Sequence, residues 1–526
     1  MKKTLAMLLA LIMVLAMLPT VLAEDDWITL RVECFDRNAA GFNVEDCMQL
    51  HYAQENFGDP NHIKLEFVSV SRWEETAILN TLLAGQTAPD LCMTYDGALM
   101  QSYIDMGGVK PLDELLEAYG PNLKAFLGDE CLLYGINPED NVRYNLVARR
   151  LNVGMLGVFV RGDWLEKLNM AVPATRQEWI DYLYAAKEAN LGGELTLPYA
   201  IGLYEANPLW GFSLLVNSYL DWENITEEQY LAAGPYLEVL PGAKEAYRLL
   251  NTFYNDGLVN PDYPLDATDD SNNQKFYLGQ VGTKIATYDD PYRPDQAYQQ
   301  EMSKNVPDAY WIPANCMTNK DGYTFHSTYA ANGLNIFIPG WVDDEVAAAA
   351  IKYMDWMAIP ENMFVMQNGV EGKNYEGLDE NGIPYGVKAT ADVEDEYKMH
   401  AGDVCFIANG SNFGSDERNA MAVAQSYTGY EEYVAQAYAD QLIDALPGSY
   451  CSATIQAETD YAGMVTQKEG EFLTNIVTCA KEDFDATYDT WLQQILDSGL
   501  QQILDERTQA YQNGFISGVY PTQYAK

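Results

Sequence analysis

Apolar residues gather first in an uncharged run from Leu5 to Leu22, and beyond Glu24 they fall into short groups with either strand or helix spacing. Ile28 to Cys34, ITLRVEC, alternates at a period of two and predicts a strand that breaks into the polar loop Phe35-Asp36-Arg37-Asn38. Ile63 to Val70 predicts a second strand. Trp73 to Gly85 then reads as a helix with a glycine stop, and Ala88-Pro89-Asp90-Leu91 leads into a short strand ending at Thr94-Tyr95-Asp96. From Val158 to Asn190 the pattern is densest. Val158, Phe159 and Val160 predict a strand, Asp163 a cap for a turn through Trp164, Leu165 and Leu168, and Pro173 a stop. Thr175 is placed to cap the next helix, whose buried face is Trp179, Tyr182, Leu183 and Ala186.

The same alternation continues downstream. Pro198 to Gly202 predicts a strand followed by Leu203-Tyr204-Glu205-Ala206-Asn207-Pro208-Leu209-Trp210, and Ala243 to Asp256 predicts a helix. A strand through Ile285 then delivers Tyr288, Asp289, Asp290, Pro291 and Tyr292 to its end. Phe484 to Tyr511 is amphipathic, with Trp491, Leu492, Ile495, Leu496, Leu500 and Leu504 on one face. Residues 399 to 478 show no pattern firm enough to place elements closely. Alternating strands and helices imply an α/β fold with a mostly parallel sheet, in which a ligand sits beyond the carboxyl ends of the strands.

Composition narrows the functional classes. Lys2 and Lys3 before the apolar run, with the small-residue pattern Val21-Leu22-Ala23, predict a secretory signal peptide over residues 1–23 and export to the cell envelope or beyond. With 77 acidic against 31 basic residues the formal charge is −46, which excludes nucleic acid as a partner and suits a solvated, monomeric surface. The eight cysteines include no CxxC and no pairing with histidine at metal-ligand spacing, so neither a metal site nor a cofactor is expected. None directly follows the leader's apolar run. Catalytic motifs are thin. There is no Gly-x-Ser-x-Gly, no phosphate-cradling loop and no HExxH, and carboxylate pairs such as Asp289 and Asp290, which could serve a glycosidase, are expected by chance among 77 acids. The 37 tyrosines and 10 tryptophans are better suited to sugar faces, which stack on aromatic rings flanked by polar groups.

Several stretches together resemble the family 1 extracellular solute-binding proteins of ABC importers, in their carbohydrate-type, lipoprotein-like branch. They are the Val158–Asn190 unit with its Val-Pro-x-Thr, the Leu83-Ala84-Gly85 helix stop before x-x-Pro-Asp-Leu at 87–91, Gly107-Gly108-Val109-Lys110-Pro111-Leu112, Gly257-Leu258-x-x-Pro261-Asp262, and Asp355-Trp356-Met357. The resemblance implies a two-lobed periplasmic-binding-protein-like fold of type II, with a hinge between the lobes and the ligand in the cleft. It divides the chain into residues 24–154 of lobe 1, 155–322 of lobe 2, a return to lobe 1 over 323–400, and a C-terminal helical part, 401–526, mainly in lobe 2. It implies that the chain captures a sugar or oligosaccharide and docks on the importer's membrane subunits, without catalysis. A secreted carbohydrate-active enzyme, and a binding protein for a peptide or another polar solute, are the alternatives. The residues expected at the ligand are Asp36, Arg37, Trp73, Tyr95, Asp96, Tyr204, Glu205, Trp210, Tyr288, Asp290 and Tyr292. Many members of this branch hold calcium in an acidic loop after the Val-Pro-x-Thr helix. Here that loop, residues 189–196, has Glu194 as its single carboxylate, so calcium is not expected.

Overall fold

A computed structural model describes residues 27–37, 42–72, 74–137, 140–203, 207–265, 270–293, 298–330, 332–388, 390–400 and 404–525. The strands that build its two principal sheets are β1 (Ile28–Asp36), β2 (Ile63–Ser71), β3 (Cys92–Thr94), β4 (Asn145–Arg150), β5 (Leu156–Arg161), β6 (Leu197–Tyr199), β7 (Val281–Thr287), β8 (Trp311–Ala314), β9 (Asn332–Phe337) and β10 (Ala408–Asn409). The helices that frame the sites are α1 (Glu75–Ala84), α2 (Gly97–Asp105), α3 (Gly162–Leu168), α4 (Arg176–Glu188), α5 (Ala243–Asn255), α6 (Asp344–Met357), α7 (Asp416–Gln425), α8 (Glu431–Gln441), α9 (Gln456–Thr478), α10 (Phe484–Ile495) and α11 (Gln501–Gln512).

In the first lobe β1 runs parallel to β2 in register from Ile28 opposite Ile63, and the bridge Val32 to Leu91 joins β1 to the start of β3. The sheet continues in the order β3, β9, β4, β10, with β9 antiparallel to both neighbours. Its core takes Leu30, Val32, Phe35 and Phe67 from the first strands, Ile336 from β9 and Ile351 and Met354 from α6, all nearly inaccessible. The return strand β9 lies between β3 and β4, as a chain that leaves a lobe and comes back must arrange.

In the second lobe the order is β8, β5, β7, β6. Every residue of β5 is buried, Arg161 included. Arg161 meets Asp163 through two bonds, Nε to Oδ1 at 2.7 Å and Nη2 to Oδ2 at 2.9 Å, while Nη1 donates to the Gly279 carbonyl at 2.8 Å. Such a pair tolerates burial because each donor has an acceptor. Asp163 is therefore an ion-pair partner inside the first turn of α3 rather than the cap the sequence suggests; the helix begins at Gly162. Thr175 does cap α4, in a reciprocal box with Glu178. On the face of α4, Trp179 is fully buried, edge-on to Tyr199 at 5.5 Å and Phe253 at 5.6 Å. Trp164 packs so tightly under Gly282 that a Cβ there would lie 2.5 Å from its ring, which is why β7 carries glycine at that point. The C-terminal helices α9, α10 and α11 join this core through Phe472, Tyr488, Ile495 and Ile503, and Val404 to Ala408 pack in the first lobe.

No helix of the described residues is long and apolar enough to cross a membrane. The loop at 189–196 turns through a short 3-10 segment at Gly193–Leu195, leaving Glu194 exposed.

One buried carboxyl should make folding pH-dependent. Glu33 is fully buried in β1, its Oε2 accepting from the Met93 backbone at 3.0 Å, and burial raises its pKa from 4.5 to about 8. Above pH 4.5 the unfolded chain ionises this group while the folded chain keeps its proton, so its contribution to stability falls as pH rises toward 8. Glu33→Gln should stabilise relative to wild type by up to about 1.4 kcal/mol per pH unit across that window. Urea titrations at pH 5 and pH 8 check this, and a difference independent of pH would refute it.

Candidate functional site

Three segments cross between the lobes, and they lie side by side. Leu151 N donates to the Asn409 carbonyl at 2.8 Å, and Tyr329 N to the Val153 carbonyl at 3.0 Å. Arg150 adds a bond from Nε to the Asn332 carbonyl at 3.4 Å and lays its guanidinium over the Tyr329 ring at 4.5 Å. Asn152 reaches across to the Tyr288 hydroxyl. A cleft opens on one side of this hinge.

Its cavity, of about 290 Å³, is bounded on the first lobe by Tyr95, by Met100, Gln101 and Ile104 of α2, by Tyr134 to Asn137, and by Asn145, Asn332 and Asn335. On the second lobe it is bounded by Tyr450 to Ile455 and by Glu458 and Thr459 at the start of α9. The two sides meet at one edge, where the Tyr450 hydroxyl donates to the Tyr134 carbonyl at 2.5 Å and the two rings lie 4.3 Å apart. Thr454 Oγ1 reaches Asp105 Oδ2 at 3.4 Å.

The carboxyl end of β3 holds Tyr95 from several sides. Its backbone N donates to Glu75 Oε1 at 3.0 Å, its ring stacks 6.0 Å from Phe35, and the Arg72 guanidinium sits 4.3 Å over its face. Its hydroxyl accepts from Asn409 Nδ2 at 3.0 Å. The next residue, Asp96, caps α2 through the Leu99 backbone at 2.9 Å. The asparagines form a chain: Asn145 Nδ2 donates to Asn335 Oδ1 at 2.8 Å, and Asn335 Nδ2 reaches the Thr94 carbonyl at 3.4 Å. Glu458, the one carboxylate in the lining, accepts from Arg507 Nη1 at 2.9 Å. The described lining thus offers amides, hydroxyls, aromatic edges and a single compensated charge, and contains no lysine or arginine.

Of the eleven residues singled out from the sequence, Trp73, Tyr204 and Glu205 lie outside the described residues. Tyr95 lines the cleft, while Asp96 caps α2 and is not among the lining residues. Asp36 and Arg37 end β1, half-buried, with the Asp36 carbonyl accepting from Arg72 N at 2.9 Å. Trp210 borders a separate cavity within the second lobe. The residues at the end of β7 have structural partners. Tyr288 packs edge-on to Tyr438 at 5.1 Å, and Asp290 pairs with Lys284 at 2.7 Å. Tyr292 departs furthest from a groove position. It is 1 % exposed, stacked 5.0 Å from Tyr430 and 5.9 Å from Tyr433, and its hydroxyl donates to the Trp311 carbonyl at 2.8 Å. Its place in the core follows from α8, which covers the end of β7 and which no sequence pattern located. The asparagines of β9 and the wall at 450–459 were missed for the same reason, since neither has an apolar period.

A family model described as bacterial extracellular solute-binding protein matches residues 52–366. No curated protein matches the sequence. Among solved structures, an alginate-binding protein, AlgQ2, crystallised without calcium ion, is 19 % identical with a TM-score of 0.64, covering 93 % of this chain and 98 % of that one. A solute-binding protein associated with an ABC transporter that binds HMO, from Bifidobacterium longum infantis, is 15 % identical with a TM-score of 0.67, covering 93 % and 99 %. The S. pneumoniae substrate-binding protein FusA in complex with kestose is 14 % identical with a TM-score of 0.63, covering 92 % and 99 %. At these identities the likeness establishes the two-lobed fold.

The burial of Tyr292 sets an expectation for mutants. Tyr292→Ala should lower folding stability by about 3 to 5 kcal/mol, the usual cost of deleting a large buried aromatic. Tyr95→Phe should cost about 1 kcal/mol, from the lost bond with Asn409. Chemical denaturation of the two variants decides it, and equal stabilities would show that Tyr292 faces solvent.

Proposed function

Because the chain belongs to the bacterial extracellular solute-binding proteins, we propose that it captures a saccharide between its lobes and presents it to the membrane subunits of an ABC importer. The observation that carries this reading is the lining of the cleft. Asparagine amides match the paired donors and acceptors of sugar hydroxyls, and the rings of Tyr95, Tyr134 and Tyr450 give apolar surface to its CH groups. The absence of lysine and arginine from the described lining favours a neutral or cationic solute over a polyuronate such as alginate. The glycans named for the structural neighbours, alginate, HMO and kestose, agree with a saccharide cargo.

In this reading the lobes divide near residues 155 and 323, with the third crossing after Asn409, and they rotate about the hydrogen-bonded crossing segments. A solute touching Tyr95 and Asn335 on one side and the 450–459 wall on the other favours the closed state through its contacts with both. The importer then recognises the closed form. No bond is made or broken, the protein acts as an exported monomer, and Asp36, Arg37 and Asp96, at the carboxyl ends of β1 and β3, join Tyr95 as the residues read from the sequence that this proposal keeps for the solute.

Thermal shift of the mature protein against a panel of mono- and oligosaccharides tests the reading, since a ligand at 100 times its Kd adds about 2.7 kcal/mol. For the best ligand, Asn335→Ala and Tyr95→Ala should each weaken binding by about 1 to 3 kcal/mol in calorimetry. Full affinity in both variants, or stabilisation by no saccharide, would overturn it.

A further inference from the structure

A second cavity, of about 260 Å³, lies inside the second lobe, walled by the rings of Trp210, Tyr230 and Tyr247 and by Glu238. Glu238 is 1 % exposed, and apart from its own backbone N–H no described residue donates a hydrogen bond to its carboxyl oxygens. A buried carboxyl with no donor from another residue is unfavourable, and proteins rarely leave one beside an open space. Arg507, which reaches the wall residue Ser449, does not compensate Glu238: it binds Glu458, the carbonyls of Ala232 and Leu231, and the Ser449 hydroxyl. Burial, reinforced by the like charge of the buried Glu469, holds Glu238 in its protonated form.

Aromatic rings around one carboxyl suit a substituted ammonium group. The rings attract the cation through their quadrupoles, and the carboxylate accepts its N–H bonds. The position relative to the cleft supplies the second argument. Leu446 to Ser449 wall this cavity and Tyr450 to Ile455 border the cleft, so one stretch of chain lines both. We propose that the cavity is an ammonium subsite, and that the solute is a saccharide carrying a protonated amino group, which seats beside Glu238 while its hydroxylated remainder occupies the cleft. This rests on the saccharide reading above. On binding, the proton of Glu238 leaves to solvent and the carboxylate pairs with the incoming ammonium.

The test is calorimetry on the full mature protein with four probes: the β-1,4 trimer of glucosamine, its N-acetylated counterpart, the glucose trimer, and choline. The amine trimer should bind at least about 10-fold more tightly than the acetylated or neutral trimer, the factor expected for one charge-assisted hydrogen bond. Glu238→Gln should abolish that preference, leave the neutral trimer unaffected, and melt no lower than wild type, since it removes an unpaired acid. Titrations in buffers of differing ionisation enthalpy should show proton release by wild type that is absent from Glu238→Gln, a readout that stands on wild type alone should the variant fold poorly. If the neutral trimer binds as well as the amine and no proton is released, the ammonium subsite is overturned and the saccharide reading survives. If choline binds with proton release and no trimer does, the subsite stands and the saccharide reading falls.

Discussion

The structure depends on three strands of chain being held together where they pass between lobes. Two backbone hydrogen bonds, Leu151 to Asn409 and Tyr329 to Val153, tie the crossings into one narrow band. Each crossing is bonded to a neighbour, an arrangement that suits the proposed rotation of whole lobes about the band. Arg150 reinforces it by capping the Asn332 carbonyl and covering Tyr329. Arg150 ends β4, and Asn332 begins β9, so the band is continuous with the first-lobe sheet.

A hinge can confine motion only if the bodies it joins are stiff. In the second lobe the stiffness comes from β5, buried along its whole length and fastened by the Arg161–Asp163 pair. In the first it comes from α6 laid across β1. The buried carboxyls belong to this contrast. Glu33 keeps a donor from the neighbouring strand and is accommodated, whereas Glu238 has only its own backbone N–H and borders a cavity.

Much of the fold was legible because it is written in apolar periodicity. ITLRVEC, the Thr175 cap and the Trp179-Tyr182-Leu183-Ala186 face each correspond to a strand, a cap and a buried stripe in the structure. The cleft was legible only in part. Strand ends locate aromatics, but they do not say which aromatics another element will cover, so Tyr95 reached the cavity while Tyr292 was enclosed by α8. The asparagines of β9 and the wall after Tyr450 are polar, lack any period and come from distant parts of the chain, and their convergence is a product of topology. Asp163 shows the same limit at short range, since a residue type that caps helices can equally pair with an arginine two positions away.

The charge distribution joins these observations. The chain carries −46 formally, yet the cleft shows one carboxylate and that one is neutralised by Arg507. The acidity therefore acts from outside the site, as a field that attracts cations toward the protein and repels anions before contact. In the proposed reading, selection within the cleft passes to amide and hydroxyl geometry, which distinguishes neutral polar groups by direction rather than by charge. A long-range field and a nearly neutral lining favour the same solutes only if those solutes are uncharged or positive. The net charge, the amide-rich lining and the uncompensated Glu238 thus impose one constraint at three distances.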